Sequence, residues 1–288
     1  AVVANPKLRR ELGLAQGFEH FDDTLAQSGP DAEARRPERV VDLAMDRLAT
    51  FGEEPFLLFV DLFDSRDLDD ARVAALDIQL GRLLTALAAA ARGKETLIAI
   101  TADSGGTRDD ASRAPQLYEE AVRVPLALRY PVGASAPAGL EPGTRVDTAT
   151  QNHRLFATFL DAAGSSLPKQ VGLHPFGGRD SLIFTELRQP ASGKFQGAGP
   201  ARDLRAIYLF PFKLIQTASG HSEFYNLDKD PSETHSDAIE MRKAYSRLLK
   251  MLIQFTEAHP PLFHGRDEHR SNVWPASVAK LDALGTVE

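Results

Sequence analysis

Apolar residues fall along this chain in two rhythms. One is the short unbroken run. Thr96-Leu-Ile-Ala-Ile-Thr-Ala102 begins after Glu95 and ends abruptly in Asp103-Ser-Gly-Gly106. A run of that length, β-branched and closed by a glycine pair, predicts a strand covered on both faces, as in a parallel sheet. Pro55-Phe-Leu-Leu-Phe-Val60 and Val124-Pro-Leu-Ala-Leu-Arg-Tyr130 predict two more. The other rhythm is helical: between Asp70 and Arg92 the apolar positions Val73, Leu76, Leu80, Leu83, Leu84 and Leu87 line one face. Strand, crossover helix and strand make a βαβ unit, right-handed in nearly all cases.

The same rhythms extend to both sides. Pro37 opens a helix with Val40, Val41, Ala44, Leu48 and Phe51 on one stripe, and Glu38 suits its amino-terminal dipole. Leu155 to Ala163 reads as a short helix stopped by Gly164, and Glu240 to Glu257 as a longer one striped by Ala244, Leu248, Met251, Leu252 and Phe255. Ser181 to Thr185 predicts a lone strand among glycine- and proline-rich loops. Arg205 to Gln216 and Glu223 to Leu227, joined through Ala218 to His221, predict antiparallel strands and a turn. Gln16 to Asp23, Gly29-Pro30 and Pro131 to Pro142 read as loops. The fold class expected is α/β: a mostly parallel sheet flanked by helices, with a small antiparallel carboxyl-terminal sheet. Residues 1–164 would form the core, 165–258 its carboxyl-terminal strands and helix, and 259–288 a tail.

Composition narrows the function classes. At 288 residues and 43% hydrophobic the chain can bury a large core. Its formal charge of −7 and isoelectric point near 5.7 argue against a nucleic-acid partner. There is no cysteine, hence no disulfide framework and no thiolate metal site. No apolar run reaches the length of a membrane span.

Candidate chemistry centres on Asp103. A carboxylate at the carboxyl end of a buried strand stands where α/β folds gather ligands, so it reads as a cation ligand or substrate contact. It reads equally as the cap of a turn through Ser104 and Gly105. The acids Asp61, Asp64, Asp67, Asp69 and Asp70 lack the glycine and closing glutamate of a calcium loop; Asp69 and Asp70 fall where they would cap the crossover helix. Arg108, Arg113 and Arg123 would form a basic rim able to hold an anion. His259, His264 and His269, five apart, match no zinc spacing and read as tail residues, with Trp274 docking the tail.

Several motifs occur in one order: Gly13-Leu-Ala-Gln-Gly-Phe-Glu-His-Phe-Asp-Asp23, Phe56-Leu-Leu-Phe-Val60, Leu76-Asp-Ile-Gln-Leu-Gly-Arg-Leu-Leu84, Thr96 to Gly105, Leu117-Tyr-Glu-Glu-Ala-Val-Arg-Val-Pro-Leu126, Phe212-Lys-Leu-Ile215 and Phe224-Tyr-Asn-Leu-Asp-Lys-Asp-Pro-Ser-Glu233. In that order the chain resembles a sulfatase of the alkaline-phosphatase superfamily, from about Gly13 to about Leu252. The resemblance implies an alkaline-phosphatase-like fold and metal-assisted hydrolysis of a sulfate or phosphate ester. It also implies a cation (calcium, magnesium or manganese), an anionic ester or glycan ligand, and an extracytoplasmic or membrane-tethered location. It makes Asp103 the metal ligand, with Ser104 where the family has His or Asn, and Lys213 and Arg66 the candidate substrate contacts. A strand lysine is otherwise solvated, and that is the plainer reading of Lys213.

The polar positions depart from the family. Its nucleophile, in a Cys/Ser-x-Pro-x-Arg motif or a threonine in relatives, and its leading pair of aspartates would lie upstream of Ala1. Asp61 and Arg66 stand where histidines follow the preceding strand, and Thr107 to Pro115 replaces a histidine-bearing loop. Arg154 and Ala157 stand where Asp and Pro are common. Packing tolerates apolar exchange, whereas a metal site needs given ligand types at fixed geometry. The expectation is a non-catalytic sulfatase-like domain that binds an anion or serves a structural role. The alternative is the carboxyl-terminal part of a metal-dependent ester hydrolase whose nucleophile lies upstream.

Overall fold

The computed structural model describes residues 1–24, 35–62, 69–105, 117–134, 136–137, 140–147, 149–166, 175–176, 182–187 and 203–259. They form two compact units, one of Ala1–Ile98 with Tyr130–Ser135, the other of Ala99–Arg129 with Ala136–Glu288. The predicted tail lies outside the described residues except His259. No described helix is long and apolar enough to cross a membrane.

In the first unit, helix α1 (Pro37–Leu48) starts on its proline and buries Val40, Val41, Ala44 and Leu48, the expected stripe. Helix α2 (Asp70–Ala89) is capped by Asp69, whose carboxylate accepts the Arg72 amide at 2.8 Å. Asp69 and Asp70 therefore serve the helix end, as their position predicts. The two helices pack together and are tied by Arg82 to Asp42 at 2.8 Å. The centre of this unit is a segment without periodicity, Ala1-Val-Val-Ala4. It is buried throughout and bridges in parallel, through Val2, to Asp22 on one side and Val60 on the other. Val2, Ala4, Val40 and Ala44 make its core.

The run at Pro55 to Val60 is therefore only partly the strand expected. Val60 alone bridges, while Leu57 and Phe59 are 66% and 47% exposed. A strand becomes buried on both faces only where neighbours cover both, and the described residues cover one.

The second unit takes in all but the first residue of strand β1 (Ile98–Thr101), which pairs with β2 (Leu126–Arg129); between them in the chain lies the short helix α3 (Glu119–Val122). Helix α4 (Arg154–Ala162) follows and ends at Gly164, whose φ of +67° is the left-handed turn that glycine supplies. The remainder is a four-stranded antiparallel sheet in the order β3 (Ile183–Leu187), β4 (Leu204–Leu209), β5 (Phe212–Thr217), β6 (Ser222–Asn226), crossed by helix α5 (Arg242–Ala258). The expected continuous strand from Arg205 to Gln216 is in fact two. Phe210-Pro211 breaks it, because proline has no amide to donate, and Leu209 turns back to pair with Phe212.

Alternation along these strands sends Ile207, Leu214 and Phe224 to one face, where Tyr245, Leu248, Leu249 and Leu252 of α5 seal the core. Ala206, Tyr208, Ile215 and Tyr225 go to the other, where Leu117, Tyr118 and Val122 cover them. The architecture is α/β, with the carboxyl-terminal antiparallel sheet in its expected place. Parallel pairing among the described residues includes the two bridges at Val2.

Candidate functional site

Asp103 and Ser104 stand exposed just beyond β1. The Ser104 hydroxyl donates to Asp103 Oδ1 at 3.4 Å, a long contact within the turn itself. What holds this turn lies on both sides of it. Asn152 Nδ2 donates to the Ala102 carbonyl and to Thr101 Oγ1, both at 3.0 Å, and Thr101 Oγ1 donates to the Pro125 carbonyl at 2.9 Å. The Gly105 amide donates to the Ala121 carbonyl of α3 at 2.8 Å. A Cβ on Gly105 would lie 2.1 Å from the Glu120 carbonyl oxygen, so glycine is required there by close approach of backbone. Arg66, Arg108 and Arg113 lie outside the described residues; Arg123 is exposed. Among the described residues no three His, Asp or Glu side chains converge as a metal-binding set.

Asp61, which the resemblance sets at one of the family's histidine positions, has a backbone role. Its Oδ2 accepts the amides of Ala4 at 3.0 Å and Asn5 at 2.8 Å, closing the buried Ala1 to Ala4 segment. Removing the carboxylate strands two partly buried donors, each costing about 1–3 kcal/mol if left unmet. Asp61→Ala is expected to lower stability in urea denaturation by about 2 kcal/mol, and Asp61→Asn, which retains one acceptor oxygen, by about half of that. Arg154, at another changed position, donates to the Pro175 carbonyl at 3.2 Å. Beside it Thr158 Oγ1 accepts the Phe176 amide at 3.0 Å.

Lys213 corrects the sequence reading. It is not a solvated strand lysine: it is fully buried. Its Nζ lies 2.6 Å from Glu233 Oε1 and 3.1 Å from Glu119 Oε1, and 4.7 Å from the centre of the Tyr208 ring. The reason is register, since Tyr208, Lys213 and Tyr225 stand side by side across β4, β5 and β6 on the face that α3 covers. Glu233 also accepts the Glu119 amide. Burial drives the Glu233 carboxyl above its ordinary value, outweighing the pull of Lys213. Burial, and then the Glu119 carboxylate, keep the Tyr208 hydroxyl protonated. Next to this group Glu223 Oε2 accepts hydroxyls from Tyr118 at 2.8 Å and Tyr225 at 2.7 Å, and burial raises both tyrosines.

Sequence reasoning gave neither Glu119 nor Glu233 a role. Both lie in motifs that carried the resemblance, Leu117-Tyr-Glu-Glu and Asp230-Pro-Ser-Glu, and both turn out to serve one lysine. A signal was present: a lysine amid the apolar run Phe212-Lys-Leu-Ile215 sits on a buried strand and needs acids from elsewhere.

The family model for sulfatases matches residues 14–165. Among curated proteins the chain is 27% identical over 197 residues to an N-acetylglucosamine-6-O-sulfatase of Bacteroides thetaiotaomicron, covering 65% of this chain and 34% of that protein. It is 24% identical over 194 residues to a sulfatase of Formosa agariphila, covering 65% and 35%. The chain thus spans about a third of the length of these relatives. Among solved structures, one in complex with its substrate D-glucosamine-2-N,6-O-disulfate matches at a TM-score of 0.51 and 23% identity, over 65% of this chain and 39% of that one. Ps i-CgsB in complex with k-i-k-neocarrahexaose matches at 0.61 and 15% identity, over 98% and 70%. The phosphonate monoester hydrolase of Agrobacterium radiobacter matches at 0.51 and 21%, over 89% and 52%. At these identities the structural matches establish the fold.

Proposed function

This chain belongs to the sulfatase family, and from that premise we propose that it is a sulfatase-like domain without hydrolytic activity of its own, which binds an anionic ester or glycan. The observation that carries the reading is Asp61: at a position where the family keeps a histidine, the carboxylate serves the Ala4 and Asn5 amides. The cation that the family implies finds Asp103 and, beside it, only the neutral hydroxyl of Ser104 among the described residues. One carboxylate and one hydroxyl fall short of the six to eight oxygens that calcium takes, or the octahedron of magnesium. For the ligand, a sulfated sugar is the class we favour, supported by the glucosamine sulfatase among the relatives and the disulfated glucosamine bound in a structure of the same fold.

A second reading has its own support. Because the chain spans about a third of its curated relatives, it can be the carboxyl-terminal part of a metal-dependent hydrolase of sulfuric or phosphoric esters, with the nucleophile upstream. There Asp103 would be one ligand of a site completed by other residues.

Calorimetric titration of calcium, magnesium and manganese into the chain and into Asp103→Ala, with sulfate-ester and phosphate-ester assays on the same samples, separates the two. The expected result is no turnover and no cation binding that depends on Asp103. Turnover lost in Asp103→Ala overturns the non-catalytic reading. Cation binding lost in the variant, without turnover, favours the second.

A further inference from the structure

The buried group around Lys213 joins two parts of the second unit, and its charges do not balance. One ammonium faces two carboxylates, Glu119 from α3 and Glu233 from the turn after Pro231, with side chains 24% and 1% exposed. Among the described residues the other titratable groups facing it are Tyr208 on β4, Tyr118 beside α3, and Glu223 with Tyr225 on β6, with the exposed His221 ring 4.0 Å from Glu223. Glu223 is already occupied by two tyrosine hydroxyls, and the tyrosines stay neutral, so none of them supplies a second positive charge. With both acids ionised the trio carries a net negative charge out of water; one proton makes it neutral.

α3 is the element that this trio grips, and α3 also receives the Gly105 amide at the Ala121 carbonyl. Glu119 and Ala121 are on the same single turn. We propose that Lys213, Glu119 and Glu233 form a proton-sensitive clamp that fastens α3, and through Gly105 the Asp103 turn, to the antiparallel sheet, and that the clamp tightens on mild acidification. Lys213 is in this sense a positioning residue acting on Asp103 through α3. The inference goes beyond the proposed function and holds for either reading of it.

The sign follows from Glu233. Its carboxyl is raised in the folded chain above the ordinary 4.5. Its proton therefore adds stability fully below that ordinary value, and the gain is lost as pH climbs through the raised one. Asp22, Asp23 and Asp230 are shifted the other way, below 3.8, and titrate beneath this window. Glu233 protonation can thus be read without them.

The test is amide hydrogen exchange at Gly105 and Ala121 in the whole chain from pH 4.5 to 7.5, corrected for intrinsic exchange. Protection in the unaltered chain is expected to fall about tenfold for each unit by which Glu233 is raised. In Glu233→Gln, which keeps the shape of the neutral acid, the profile is expected to be flat within about twofold. Glu119→Gln, at the more exposed carboxylate, removes one of the two negative charges and is expected to raise Gly105 protection at pH 7. Protection that rises with pH, or a Glu233→Gln profile that tracks the unaltered chain, overturns the proposal. A flat Glu233→Gln profile with a sloping parent supports it.

Discussion

Lys213→Met is expected to cost about 3–5 kcal/mol of stability in urea denaturation at pH 7. The side chain fits by volume, so packing is not what fails. What fails is charge: Glu233, 1% exposed, and Glu119 would face each other with no cation between them. Breaking a buried pair from one side is far worse than replacing both members, because the partner keeps its desolvation cost. The double change Lys213→Met with Glu233→Gln is therefore expected to recover at least about 1 kcal/mol over Lys213→Met, a coupling outside the error of such cycles. Additive losses would mean that the three groups do not act together.

Phe224→Ala is expected to lose a similar amount, about 3–5 kcal/mol, for a different reason. Phe224 is fully buried between the sheet and α5, stacked on Phe212 with ring centres 5.6 Å apart and edge-on to Tyr245 at 5.8 Å. Truncation leaves a cavity lined by side chains of both β5 and α5, which regular elements cannot readily collapse to fill. Phe156→Ala is the control. Phe156 on α4 is 49% exposed, so its loss is expected to stay within about 1 kcal/mol by the same denaturation. If the two phenylalanines cost alike, the core between sheet and α5 is not the seat of this unit's stability.

The elements that were legible in the chain are those written in local repetition. α1, α2, α4 and α5 lie where stripes of Val, Leu and Ala predicted them, and Pro37, Asp69 and Gly164 mark ends by chemistry that acts over a single turn. Strand breaks were less legible. Pro211 splits β4 from β5 inside what reads as one apolar run, and a two-residue turn has too few positions to leave a pattern. Ala1 to Ala4 escaped for the same reason: four apolar residues have no period, and only the bridges at Val2 reveal them as the middle of their unit. The end of β1 delivers Asp103 as its sequence implies, but β1 is half-buried rather than covered on both faces. The means of holding Asp103, Asn152 against Ala102 and Gly105 against Ala121, join residues with no common motif.

By itself the sequence determined the α/β class, the helices and the buried face of α1, the carboxyl-terminal antiparallel strands and, through the order of its motifs, the sulfatase family. These follow from spacing, which is local, and from order, which needs no coordinates. Only the tertiary structure decided what the charged side chains do. Asp61 meets amides 57 and 56 residues away, and Lys213 meets Glu119 across 94. Whether a carboxylate caps a turn, binds a cation or neutralises a lysine depends on which groups folding brings within about 3–4 Å of it and on how much water remains. That depends on neighbours distant in sequence, and so Asp61 became a support for the amino-terminal segment and Lys213 the centre of a buried clamp.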